Sequence, residues 1–153
     1  MGNCLTEKVC ESPGETMAFG ERIARGLKPG SVVALSGGLG AGKTCLAKGI
    51  AKGLGITDTL TSPTYTIVCE YVASLGGKAV PMYHIDAYRL GGDEDFESTG
   101  AGEFIGGGGI AIVEWSERIP GSIPEDAITV KIDITGPQSR VFRIRGFVDE
   151  VRG

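Results

Sequence analysis

The stretch Ser31-Val32-Val33-Ala34-Leu35-Ser36-Gly37-Gly38-Leu39-Gly40-Ala41-Gly42-Lys43-Thr44 decides the architecture. Residues 31–36 form a short apolar run of the kind that fills a buried parallel strand. Residues 37–44 match G-x-x-x-x-G-K-[ST]. Leu46, Ile50 and Leu54 then recur every four residues, so a helix is expected to leave the loop. Gly49 and Gly53 each weaken that helix by roughly 1 kcal/mol relative to Ala, or they let it pack closely on a sheet. In a strand–glycine loop–helix unit, backbone N–H groups can surround phosphate oxygens because no side chain intrudes. The helix start adds its partial positive charge. Residues Gly37, Gly38, Leu39, Gly40, Ala41, Gly42, Lys43, Thr44 and Cys45 are therefore the candidate phosphate cradle, with Lys43 reaching the β- and γ-phosphates and the Thr44 hydroxyl ligating Mg²⁺.

Working outward, Met17, Phe19, Ile23, Ala24 and Leu27 fall near helical spacing, with Ser12 as N-cap and Pro13 at the first helical position. Lys28-Pro29-Gly30 ends that helix. Residues 61–64 read as a loop and 65–72 as a β-rich run. Leu75-Gly76-Gly77-Lys78 makes a hairpin-like turn into a strand over 79–85. Residues 93–99 predict a short acidic helix, and four glycines at 106–109 a flexible loop. Residues 110–113 form a second buried strand, which ends at Glu114-Trp115. The alternation over 127–134 and 140–147 predicts a terminal antiparallel pair. These elements specify an α/β fold: a mostly parallel central sheet flanked by helices, with antiparallel strands at the C-terminal end. No repeat or linker divides the chain, so residues 1–153 read as one domain, with 1–11 as a flexible N-terminus.

Composition narrows the function. Fifteen Lys+Arg against nineteen Asp+Glu give a net charge of -4, which argues against binding nucleic acid by charge alone. Cys4, Cys10, Cys45 and Cys69 form no C-x-x-C pair and His84 is the only histidine, which excludes the common zinc spacings and H-E-x-x-H. Reduced thiols in a cytoplasmic protein are the expectation. No apolar run approaches ~18 residues, and no signal-peptide core follows Met1. Gly2, Cys4 and Thr6 fit a lipidation pattern formally, but the pattern is short and matches often by chance, and a frayed terminus is the expected reading.

A bound Mg²⁺ needs a further protein oxygen, ordinarily a carboxylate at the C-terminal end of a strand. Asp86 and Glu114 both qualify, and either is equally explained as a cap or a solvated charge. Trp115 reads as core or interface packing, and His84 as a hydrogen-bonded structural histidine. The Asn-Lys-x-Asp element of guanine-specific proteins is absent, since the single Asn is Asn3; this favours ATP over GTP.

Taken in order, Glu15-Thr16, Leu39-Gly40-Ala41-Gly42-Lys43-Thr44, Ser62-Pro63-Thr64-Tyr65, His84-Ile85-Asp86-Ala87-Tyr88-Arg89 and Glu114-Trp115 give a specific series. From about Ser12 to Arg145 the chain resembles the TsaE family, P-loop ATPases of tRNA threonylcarbamoyladenosine synthesis. The resemblance implies that Glu114 joins Thr44 on Mg²⁺ and that Asp86 lies near the γ-phosphate. Ser62, Pro63, Thr64 and Tyr65 would act as a nucleotide-sensing switch loop, with His84, Arg89 and Trp115 also functional. Thr16 would lie near the adenine, and Arg140 would approach the nucleotide. The implied partners are TsaB and TsaD, with tRNA met only through that complex and no membrane involved. One departure is Gly38, where the family pattern usually has an acidic residue; the cradle's backbone is unaffected, but the carboxylate's role is missing. Ala87 also replaces a common leucine.

Two other readings use the same loop. A small-molecule kinase would need an acceptor pocket and a lid arginine; Arg89 and Arg118 are the candidates, without a dense arginine cluster. An ATP-binding interaction module without turnover is the other, and Gly38 keeps it open.

Overall fold

The computed structural model describes residues 5–38, 40–58, 60 and 67–147. Its strands are β1 (Leu5–Cys10), β2 (Val32–Ser36), β3 (Val68–Leu75), β4 (Lys78–Asp86), β5 (Ile110–Glu114), β6 (Ile128–Ile134) and β7 (Arg140–Arg145). The helices are α1 (Pro13–Arg25), α2 (Lys43–Gly53) and α3 (Asp93–Ser98). All seven strands join one sheet in the order β1-β7-β6-β2-β5-β4-β3. The pairs β6/β2, β2/β5 and β5/β4 are parallel, and antiparallel pairs close both margins, β1/β7/β6 on one side and β3/β4 on the other.

Alternation along β2 separates the two faces. Val33 and Leu35 point into a core built with α1 and α2, where Phe19, Ile23, Leu46 and Ile50 meet Val130, Phe142 and Ile112. Val32 enters a smaller cluster on the other face, with Ile85, Val113, Phe96 and Ile119. Helix α1 begins as its sequence predicts: Ser12 is in extended conformation, its Oγ accepts the Glu15 N–H at 3.2 Å, and Pro13 follows in the first turn.

The glycines of α2 pack against α1 rather than the sheet. A Cβ at Gly49 would lie 2.3 Å from the Met17 carbonyl oxygen, and one at Gly53 2.6 Å from the Ala24 Cβ; Gly20 of α1 is equally tight against the Leu46 carbonyl. Two helix backbones therefore touch directly, which fixes the angle at which α2 leaves the loop.

The N-terminal reading needs correction. Residues 5–10, expected to belong to a flexible segment, form β1 and pair with β7 from Leu5↔Arg145 to Cys10↔Arg140. Only Cys10 of this strand is buried. It is held by ladder hydrogen bonds and by Glu7 on Arg143 at 3.0 Å, so it has no apolar run for sequence to reveal. The β-rich run expected over 65–72 appears as β3, starting at Val68; Tyr65 and Thr66 lie outside the described residues. Among the described residues, no helix is long and apolar enough to cross a membrane.

Candidate active site

The parallel register sets the site. Asp86 pairs with Glu114, and Leu35 pairs with Glu114 from the other side, so both carboxylates stand at the C-terminal ends of adjacent strands beside the glycine loop. Alternation turns Glu114 to the same face as Ile112, toward the start of α2. There the Thr44 Oγ1 donates to Glu114, 3.1 Å from Oε1 and 3.2 Å from Oε2. Glu114 is buried, and its Oε2 also lies 2.5 Å from Nε2 of His84.

The loop between β2 and α2 bends at glycines. Gly42 caps α2 with φ at +102°, a conformation that disfavours any side chain. Among the described residues no side chain caps this helix, which leaves its first-turn amides available to an anion. Lys43 curls back over the loop, donating to the carbonyls of Gly37 at 2.6 Å and Gly38 at 2.8 Å. Its Nζ sits 3.9 Å above the Trp115 ring centroid. Burial lowers the Lys43 pKa, while Glu117, Glu114 and Asp86 oppose that shift. Burial likewise raises the Asp86 carboxyl, assisted by Glu114 and opposed by the backbone N–H of Tyr88, which donates to Asp86 Oδ1 at 2.9 Å.

Trp115 is the only non-glycine among the described residues with positive φ, at 59°. This left-handed turn follows β5 directly and brings the indole under Lys43 and against Tyr88, with ring centroids 4.8 Å apart. Arg118 closes the stack, 5.1 Å from the Tyr88 ring centroid.

These groups surround a cleft of about 410 Å³ lined by residues 40–45 with Asp86, Tyr88, Glu114 and Trp115. A larger hollow of about 670 Å³ lies at the other end of the sheet, between residues 25–32 and 146–147. It gathers neither a helix start nor facing carboxylates, so chemistry favours the smaller cleft. The cleft suits a polyanion with a hard cation. Thr44 and Glu114 offer adjacent oxygens of the kind Mg²⁺ takes, and Asp86 stands next to them. No set of three or more His, Cys, Asp or Glu side chains able to hold a metal alone occurs among the described residues.

Several expected site residues lie elsewhere. Thr16 is buried in α1 and is not among the residues that line the cleft. Arg140 grips the loop from outside: Nε donates to the Ala41 carbonyl and Nη2 to that of Gly40, both at 3.0 Å, and Nη1 holds Gly136 and Ser139. It shapes the cradle rather than facing into it. Arg89 is exposed and not part of the lining. His84 lies beneath Glu114, fully buried. Leu39 and residues 62–65 lie outside the described residues. Cys45 lines the cleft, its thiol 3.5 Å from the Pro13 carbonyl and its pKa raised by burial.

Sequence reasoning missed Glu117, whose Oε2 accepts the Gly37 N–H at 3.2 Å and braces the start of the loop. It is one more acidic residue on an exposed turn, and only folding carries it back to a residue 80 positions away. Tyr88 carried a faint signal, being part of the quoted His84–Arg89 series.

A strand–glycine loop–helix unit facing two strand-end carboxylates defines an α/β protein with a cleft at the carboxyl ends of its parallel strands. The family model for "Threonylcarbamoyl adenosine biosynthesis protein TsaE" matches residues 10–142. Among similar proteins, the tRNA threonylcarbamoyladenosine biosynthesis protein TsaE of Treponema pallidum is 41% identical over 132 residues, covering 86% of this chain and 94% of its own. The protein of the same name from Aquifex aeolicus is 40% identical over 142 residues, covering 92% and 96%. The crystal structure of YdiB from Bacillus subtilis superposes with a TM-score of 0.76 at 34% identity, covering 93% of this chain and 85% of that one. The chain belongs to the TsaE family, whose members are described as proteins of tRNA threonylcarbamoyladenosine biosynthesis.

Proposed function

We propose that this protein binds and hydrolyses ATP with Mg²⁺, and that its turnover serves threonylcarbamoylation of adenosine 37 in tRNA through a complex of TsaB and TsaD in the cytoplasm. The observation that carries the reading is the Thr44 hydroxyl on the Glu114 carboxylate, in one cleft with Lys43 and Asp86. Loop amides and Lys43 would hold the phosphates, and Lys43 would leave the Gly37 and Gly38 carbonyls to do so. Thr44 and Glu114 would hold Mg²⁺, which would supply charge neutralisation to the bound phosphates. Asp86, next to Glu114 and drawn toward its protonated form by burial, is suited to order the attacking water. The chain's work is placement and charge neutralisation, so slow turnover alone and faster turnover with partners is the expected pattern. A net charge of -4 supports meeting tRNA through the complex rather than directly.

The test is a reconstitution with purified TsaB, TsaD and tRNA. Repeated cycles of modification should need this protein and ATP, and should stop with Lys43→Ala. Many cycles without this protein would remove the proposed role. Counting inorganic phosphate against phosphorylated metabolite separates hydrolysis from a kinase reaction. A Lys43→Ala variant that still supports modification would favour a scaffold without turnover.

A further inference from the structure

His84 occupies a position that packing alone does not explain. It lies in the middle of the sheet with no solvent exposure, and its parallel partner is Ile112. Its neighbours on that face are the apolar, fully buried Met82, Ile112 and Val33, its antiparallel partner Cys69, and Asp86 toward the end of the strand. Its Nδ1 is buried without a hydrogen-bond partner among the described residues, which costs stability that an apolar side chain would not. The other ring nitrogen, Nε2, lies 2.5 Å from Oε2 of Glu114. A carboxylate oxygen accepts in this contact when Nε2 carries the ring proton. Glu114 is thus held from below by His84 and from the α2 side by Thr44.

We propose that His84 is a positioning residue for the metal site: its Nε2–H fixes the Glu114 carboxylate in one orientation, so that the carboxylate and the Thr44 hydroxyl are preset for a divalent cation. This rests on the reading of Thr44 and Glu114 as the Mg²⁺ ligands. Without the ring, a buried carboxylate would lose a charge-stabilising donor and could rotate away from Thr44. Removing such a supporting hydrogen bond typically costs about 10–100-fold in metal affinity.

The test uses the full chain and a non-hydrolysable ATP analogue. Calorimetry gives the analogue's affinity with Mg²⁺ and with EDTA, and Mn²⁺ electron paramagnetic resonance reads the metal directly. His84→Leu should reduce the metal-supported gain and the Mn²⁺ affinity by about 10–100-fold while leaving the EDTA affinity unchanged. His84→Gln, whose amide N–H reaches a similar place, should restore both to within about threefold. If His84→Leu does not fold, His84→Asn decides: its shorter amide fills the site but stops short of Glu114, and the same loss is expected. Unchanged Mn²⁺ affinity in the folded variant, or equal losses with and without metal, would overturn the proposal. A wild type with no metal-supported gain would remove the ligand reading and this inference with it, a result distinct from a variant that behaves like a metal-dependent wild type.

Discussion

Glycine is used in two opposite ways on either side of α2. In the loop that precedes it, a Cβ at Gly38, Gly40 or Gly42 would meet nothing within 4 Å among the described residues. On its flank, a Cβ at Gly49 or Gly53 would overlap α1. Those three loop glycines keep space empty and, at Gly40 and Gly42, allow positive φ, whereas Gly37 at the loop's start is tight against the Ile132 carbonyl. The helix glycines remove space so that two backbones can touch. Composition cannot separate these uses, and neither does a motif: one set leaves room for a ligand, the other aims the helix start at that ligand.

The largest expected effect comes from filling the tight side. Gly49→Ala must displace the Met17 backbone, and overpacking of this kind costs about 3 kcal/mol; chemical denaturation should show it as a lower midpoint. A midpoint equal to wild type would mean that α1 and α2 are not in backbone contact. The next effect lies on the open side. Lys43→Ala should weaken ATP binding on the order of 100-fold, read by calorimetry, while stability holds or rises because a buried ammonium is gone.

Asp86→Asn should separate stability from chemistry. Burial raises the Asp86 pKa in the folded state. Its contribution to stability is therefore present below the ordinary carboxyl pKa and lost as pH rises through the raised folded value. At neutral pH the ionised group is a cost, so Asp86→Asn should be at least as stable as wild type and lose this acid-range pH dependence in denaturation curves, while phosphate release falls. The smallest effect is expected at Gly38, where φ is not positive and space is open: Gly38→Asp should change stability by less than about 0.5 kcal/mol. A large loss there would mean that this part of the loop is as constrained as the helix contact.

The parts of the fold legible in sequence were those with a local signal. The apolar runs of β2 and β5, the Ser12-Pro13 start of α1 and the glycine turn at 75–78 each declare themselves within a few residues. β1 did not, because its binding energy sits in a ladder with a strand more than a hundred residues away. The same division holds in the site. The loop, Asp86 and Glu114 follow from a motif and from strand ends, and they line one cleft. Glu117 bracing Gly37 and Arg140 gripping Gly40 and Ala41 are long-range contacts that no spacing encodes. Thr16 carried only a family resemblance, and its burial in α1 keeps it out of the cleft.

The most direct test of the central claim is calorimetric titration of the purified chain with ATP and ADP, in the presence of Mg²⁺. Saturable one-to-one binding that Lys43→Ala weakens on the order of 100-fold is the predicted result. No heat and no thermal protection from either nucleotide, with or without TsaB and TsaD present, would contradict it.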